Sequence, residues 1–399
     1  MALPPPEPQE RKIFLTAFLA GFVSFGLLYS PQPILHLFTE RFGVPPHVSA
    51  LAISLPTLFL AFSSIFMIYL RGRIALGRVV PVAIVAAAAA NMVAVLAPSW
   101  IVVIVARGAV GIMIGLVPAS VMAFVAKAIP AHRMGRAMSW YIAGTGSGGL
   151  IGRLAAGLLT EMHGYQAALG AISVISFAIG LFLWFSFPPE ARRQGMDPAP
   201  LGIDLAALRR AALTPSALSI YVLCFALMSS FVGIFNYLSY LLSSRFGLSE
   251  GSLTMGFLPL ASGILAVPVF GRLYDRLGPR VMLCFAFAMI IAGALLTVTE
   301  SLVLLFIGIT AIALGAFSGH SSASATLGRL VEVDNNYASS IYMFSFYFGA
   351  SLTGYSTGVL YYLGGWDWVA GFTVVLAAAG LAITLIFVGR VQKGGGSSL

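Results

Sequence analysis

Two arginines and one histidine stand inside apolar stretches where few side chains could do chemistry. Arg153 interrupts GTGSGGLIGRLAAGLL, residues 144–159, and Arg107 opens RGAVGIMIG, residues 107–115. A guanidinium is a rigid planar fork of donors that suits a carboxylate or a phosphate. His320 lies in LGAFSGHSSASATLG beside Ser318, Ser321, Ser322 and Ser324, and imidazole exchanges a proton near neutral pH. Around these, Tyr29, Gln32, Asn236, Tyr240, Tyr342 and Phe346 could complete a binding pocket. Helix packing and interfacial belts are the other common use of such aromatics. All 13 Asp and Glu residues fall in loops, tails or helix ends, so no carboxylate sits mid-helix to neutralise either arginine. There is no G-x-x-x-x-G-K-[ST] sequence, no HExxH and no Cys/His cluster, so no catalytic residue, cofactor or metal is expected.

The elements that must position these groups follow from composition. Of 399 residues 59% are hydrophobic and 9% charged, against about 25% charged in an ordinary soluble domain. The chain reads as an all-α membrane protein, because leucine-, alanine- and glycine-rich runs satisfy their backbone internally as helices. Twelve transmembrane helices are expected over 13–38, 48–70, 80–97, 101–126, 137–160, 166–187, 216–242, 251–271, 281–298, 302–327, 337–362 and 367–389. The first follows a polar, proline-rich start without a small-residue cleavage pattern and reads as a retained helix. Cys224 and Cys284 both fall in apolar runs and read as buried free thiols.

Charge sets the orientation. Of the 22 Lys and Arg residues, Arg41 and Arg245 fall on the outer side if the N-terminus is cytoplasmic, and Arg107 and Arg153 are embedded. All the others lie in inner loops and tails, which puts both termini in the cytoplasm. A basic inner face beside anionic lipid accounts for the net charge of +9 without nucleic acid.

The helices divide six and six. The division gives an N-terminal half at 1–187, a cytoplasmic central loop at 188–215, a C-terminal half at 216–390 and a tail at 391–399. The halves echo each other: Arg41-Phe42-Gly43 in ERFGVPP is answered by Arg245-Phe246-Gly247 in SRFGLSE. Parallel six-helix repeats leave such a trace. Between the eighth and ninth segments lies GRLYDRLGPR, residues 271–280. Gly271 and Gly278 would let a tight turn bend, and Asp275 among Arg272, Arg276 and Arg280 could latch neighbouring helix ends.

GRLYDRLGPR resembles the signature loop of the major facilitator superfamily, G-x-L-x-D-R-x-G-R-R. RGAVGIMIG resembles that superfamily's arginine-containing fourth-helix motif, and GTGSGGLIGR its fifth-helix antiporter motif, G-x-x-x-G-P-x-x-G-G. Longer stretches such as LLYSPQPIL, SFVGIFNYLSY and IYMFSFYFGASLTG look like the bacterial inner-membrane branch that exports drugs and sugars. The resemblance implies the major facilitator fold, alternating access, a multi-pass place in the bacterial inner membrane, and a conformational latch at Gly271, Asp275, Arg276, Gly278 and Arg280. Three departures stand out. Aligning Gly77 with Gly278 puts Ile74 in the place of the acid, so the first-half latch is lost. In the fifth helix Gly149 replaces the motif's proline. Arg153 replaces its last glycine, although the row Gly144, Gly148, Gly152 is kept.

Three readings of the arginines stay open. They could bond backbone carbonyls or snorkel towards the outer interface. The resemblance implies a coupling or proton-handling role for Arg107. Alternatively they face a central cavity and receive an anionic or strongly polar group, a role that fits Arg153 best. For His320 the choice lies between proton coupling and packing against a serine. The expected function is proton-coupled export of a small organic compound by a monomer in the lipid bilayer, with an organic-anion facilitator or exchanger, including uptake, as the alternative.

Overall fold

A computed structural model describes residues 8–70, 76–129, 134–187, 204–330 and 335–388. All regular structure among the described residues is helical. In chain order the α-helices are α1 (Pro8–Tyr29), α2 (Leu35–Phe42), α3 (Pro46–Ser49), α4 (Leu51–Leu70), α5 (Leu76–Val95), α6 (Trp100–Gly115) and α7 (Val117–Ala128). They continue as α8 (Met134–Ser186), α9 (Leu205–Leu213), α10 (Pro215–Phe246), α11 (Glu250–Met255), α12 (Pro259–Leu296), α13 (Leu302–Leu330) and α14 (Asn335–Ile383). Eight stretches among the described residues are long and apolar enough to cross a membrane. This is a multi-pass membrane protein.

Glycines break the longest helices. At a rise of about 1.5 Å per residue, the 53 residues of α8 far exceed a hydrocarbon core of about 30 Å. The chain turns at Gly164 (φ 79, ψ 158) in α8 and at Gly278 (φ 81, ψ 169) in α12. That backbone region is open essentially to glycine alone. In α14 the break falls at Gly364 and Gly365. The two Arg-Phe-Gly sequences have a shared local cause: Gly43 (φ 63) ends α2 and Gly247 (φ 60) ends α10, each in the left-handed conformation that closes a helix.

Packing groups the chain into two compact units, residues 1–31 with 69–202, and residues 32–68 with 203–399. In the first unit, the glycine row of α8 lies against α1. A Cβ on Gly144 or Gly148 would run into the carbonyls of Phe18 and Phe22, and one on Gly152 would come within 2.8 Å of Gly26 Cα. In the second unit, Leu223 and Leu227 of α10, Leu283 and Phe287 of α12, Leu327 of α13 and Tyr342 of α14 share one core. Part of the stretch read as a central loop is helical. The carboxylate of Asp204 accepts from the amides of Ala206 and Ala207 at 2.9 and 3.0 Å and starts α9. Residues 188–203 of that loop, the 391–399 tail and Ile74 lie outside the described residues.

Candidate substrate and coupling sites

In the first unit both embedded arginines converge on the last turn of α1. That helix stops at Tyr29 because Pro31 and Pro33 bring no N–H, and a 3-10 turn at Gln32–Ile34 follows. Helical geometry would pair the Leu27 carbonyl with the amide of residue 31. With proline there, Arg107 of α6 supplies the donor instead. Its Nη1 donates to Leu27 O at 2.9 Å and to Asn91 Oδ1 at 2.9 Å, and its Nη2 to Leu28 O at 2.7 Å. Asn91 in turn donates to Ser173 Oγ at 2.9 Å. Arg107 is buried, at 1% exposure.

Arg153 of α8 reaches the next residue of the same turn. Its Cζ lies 4.2 Å from the centre of the Tyr29 ring, within cation–π range. Its Nη1 donates to Gly149 O at 2.7 Å. The residue that departs from the family's glycine pattern therefore lies against Tyr29, while close packing of α8 on α1 falls to the glycines before it.

In the second unit Gln32 and Asn236 come together, with Gln32 Nε2 donating to Asn236 Oδ1 at 2.5 Å. The Tyr240 hydroxyl donates to Leu35 O at 2.9 Å and lies 2.7 Å from Thr39 Oγ1 and 2.6 Å from Ser49 Oγ. His320, Tyr342 and Phe346 form another group. The Tyr342 hydroxyl lies 2.8 Å from His320 Nδ1, and the Phe346 ring is centred 4.5 Å from the imidazole. The histidine's partner is thus a tyrosine of α14 and not a neighbouring serine.

The stretch 271–280 lies within α12, and it bends at Gly278. Gly271 is helical, and a Cβ added there would meet nothing within 4 Å, so the expectation that both glycines bend the chain is corrected. Asp275 and Arg276 are exposed. Arg280 donates from Nη2 to Leu385 O at 3.1 Å. One pair escaped the sequence reading: His36 Nε2 lies 2.8 Å from Glu250 Oε1. The two residues are 214 positions apart, and neither sits in a motif. Among the described residues no group of three or more His, Cys, Asp or Glu side chains could hold a metal.

The Major Facilitator Superfamily profile matches residues 17–296 and 255–398. The chain belongs to that superfamily. It is 30% identical over 379 residues to "Inner membrane transport protein YnfM" of Escherichia coli (strain K12), covering 94% of this chain and 90% of that protein. It is 26% identical over 350 residues to "Multidrug resistance protein MdtG" of Klebsiella pneumoniae (strain 342), covering 81% and 82%. The fold is also that of a solved bacterial homolog of the human lysosomal transporter Spinster in its inward-facing and occupied conformation. There the TM-score is 0.76 at 15% identity, over 96% of this chain and 98% of that one. This superfamily member is a transporter and not an enzyme, with a small molecule as its cargo.

Proposed function

We propose that this transporter exports a small organic compound across the bacterial inner membrane by alternating access, in exchange for protons. The observation that carries the proton side is His320. Tyr342 fixes the imidazole at Nδ1, which leaves Nε2 to take up and release a proton. The name of MdtG and the resemblance to the drug-exporting branch support export; the name of YnfM supports the inner membrane.

We read the chain as twelve crossings in two six-helix halves, residues 1–187 and 216–390, with both termini cytoplasmic. The positive-charge pattern supports this. So do the breaks at Gly164, Gly278 and Gly364–Gly365, each of which falls in a gap between apolar segments. In this reading Arg107 positions the broken end of α1, and Arg153 with Tyr29 meets the cargo. Within the second unit, Gln32 with Asn236, Tyr240, and Tyr342 with Phe346 are candidate cargo contacts. Asp275 with Arg276 and Arg280 biases the access equilibrium.

The test uses everted membrane vesicles whose interior is acidified by respiration and followed with a pH-sensitive dye. Compounds that raise the melting temperature of the purified protein, chosen from organic anions, cations and neutral molecules, are then added. Exchange for protons predicts that such a compound collapses the gradient with the wild type and not with His320→Gln. A compound that enters the vesicles and leaves the gradient untouched supports the second reading, an organic-anion facilitator or exchanger. The cation held over Tyr29 by Arg153 is the observation that favours this alternative.

A further inference from the structure

We propose that His36 and Glu250 form a second proton site, separate from His320, which latches α2 to α11 on the face that the topology above puts outside. The proposal rests on the transport reading and deepens it. Tyr240 of α10 anchors α2 and α3 through Leu35, Thr39 and Ser49. His36 follows Leu35 directly, and its ring lies 6.0 Å from that of Tyr240, edge to face. From there Nε2 reaches Glu250 Oε1, 2.8 Å away in the first turn of α11.

The pair is self-contained. His36 is 6% exposed, and neither its Nδ1 nor Glu250 Oε2 has a hydrogen-bond partner among the described residues. The other titratable or charged groups on α2, α3, α10 and α11 are Glu40 and Arg41, His47, and Tyr221, Cys224, Tyr237, Tyr240 and Arg245. Tyr361 of α14 lies tilted against Tyr240, with ring centres 5.7 Å apart. Arg245, the cation of α10 beside α11, turns away to the carbonyls of Val298 and Thr299. Glu250 therefore has His36 as its close cationic partner.

A charge-assisted bond between the buried imidazole and the partly exposed carboxylate is strengthened while the imidazole is protonated and the carboxylate ionised. It weakens when the imidazole loses its proton. By linkage, closing the latch favours the protonated imidazole, and the proton in turn favours closure. This is the outer step that proton exchange requires.

The experiment places spin labels at Arg41→Cys and Ser252→Cys, both on exposed positions, with Cys224 and Cys284 replaced by serine. Distances between the labels are measured in lipid nanodiscs without cargo, at pH 5.5 and pH 8. The proposal expects the ratio of long to short distances to rise several-fold at the higher pH. His36→Arg should hold the short distance at both values, and His36→Gln and Glu250→Gln should abolish the pH response. A wild-type ratio that does not change with pH, or a full response in both glutamine variants, overturns the latch. Because no cargo is needed, pH-insensitive distances alongside proton-coupled transport in vesicles defeat the latch alone. The reverse pairing defeats the transport reading alone.

Discussion

Arg107 donates to the carbonyl of Leu27 at 2.9 Å, the oxygen that Pro31, four residues on, leaves without a helical donor. One side chain of α6 therefore completes a helix that its own sequence interrupts, and a buried charge gains a structural role. Hydrogen bonds to charged groups contribute about 1.5–3 kcal/mol each. Arg107→Met should accordingly lower the melting temperature by several degrees, because Leu27 keeps only the long bond from Ser30 Oγ (3.4 Å) and Leu28 loses its arginine donor. Pro31→Ala restores an N–H at the break, so the double variant should lose less than the sum of the two single changes. A double-mutant cycle on melting temperature reads this coupling; strict additivity would mean that Arg107 does not substitute for the missing donor.

The glycines divide by what surrounds them. Gly148→Ala would drive a methyl group into the Phe22 backbone, whereas Gly271→Ala meets open space. Gly148→Ala should reduce folded yield and melting temperature sharply, while Gly271→Ala should be neutral or stabilising by up to about 1 kcal/mol. Gly278→Ala should lose about 1–3 kcal/mol, because its backbone lies where only glycine rests without strain. Equal effects at positions 148 and 271 would contradict the packing described for α1 and α8.

What the sequence made legible is what depends on neighbours in the chain. The gaps between apolar segments and the bend at Gly278 act through their own backbone; the first segment, expected as one helix over 13–38, instead stops at Tyr29 before Pro31. Gly271 misled because a glycine in a family motif need not be the one that bends; only its φ distinguishes it from Gly278. The partner of Arg107 was not legible, since a backbone carbonyl 80 positions away carries no residue signature. The same holds for His36 and Glu250, which meet only because α2 and α11 are brought together. The grouping of residues 32–68 with the second unit is likewise a property of helix packing, which the even division of apolar segments does not encode.

His320 and Tyr342 make a second testable unit. If the imidazole carries the proton, transport by the wild type should vary with pH, and His320→Gln should flatten that dependence. His320→Gln should retain exchange of cargo and lose accumulation against a gradient. Tyr342→Phe removes the hydroxyl that fixes Nδ1, so it should shift the pH profile while leaving cargo affinity within a few-fold. Uphill transport by His320→Gln, measured in proteoliposomes with an imposed pH gradient, would remove the residue from the coupling step.

The place of Arg153 over Tyr29 separates binding from packing through three substitutions. If the guanidinium receives an anionic group, Arg153→Lys keeps the charge, loses the fork and retains partial affinity. Arg153→Ala should lose most of the affinity. Arg153→Gly should not recover it, although it restores the family's motif. Tyr29→Phe keeps the aromatic face and should leave affinity close to the wild type; Tyr29→Leu removes it and should weaken binding by about 0.5–2 kcal/mol if the cation–π contact orients the fork. A packing role orders the variants differently, with stability and not affinity tracking the change and Arg153→Gly the mildest. Melting temperature and affinity measured on the same purified variants, with compounds taken from the thermal-shift panel, distinguish the two. Unchanged affinity in a folded Arg153→Ala protein would exclude the arginine from the cargo site.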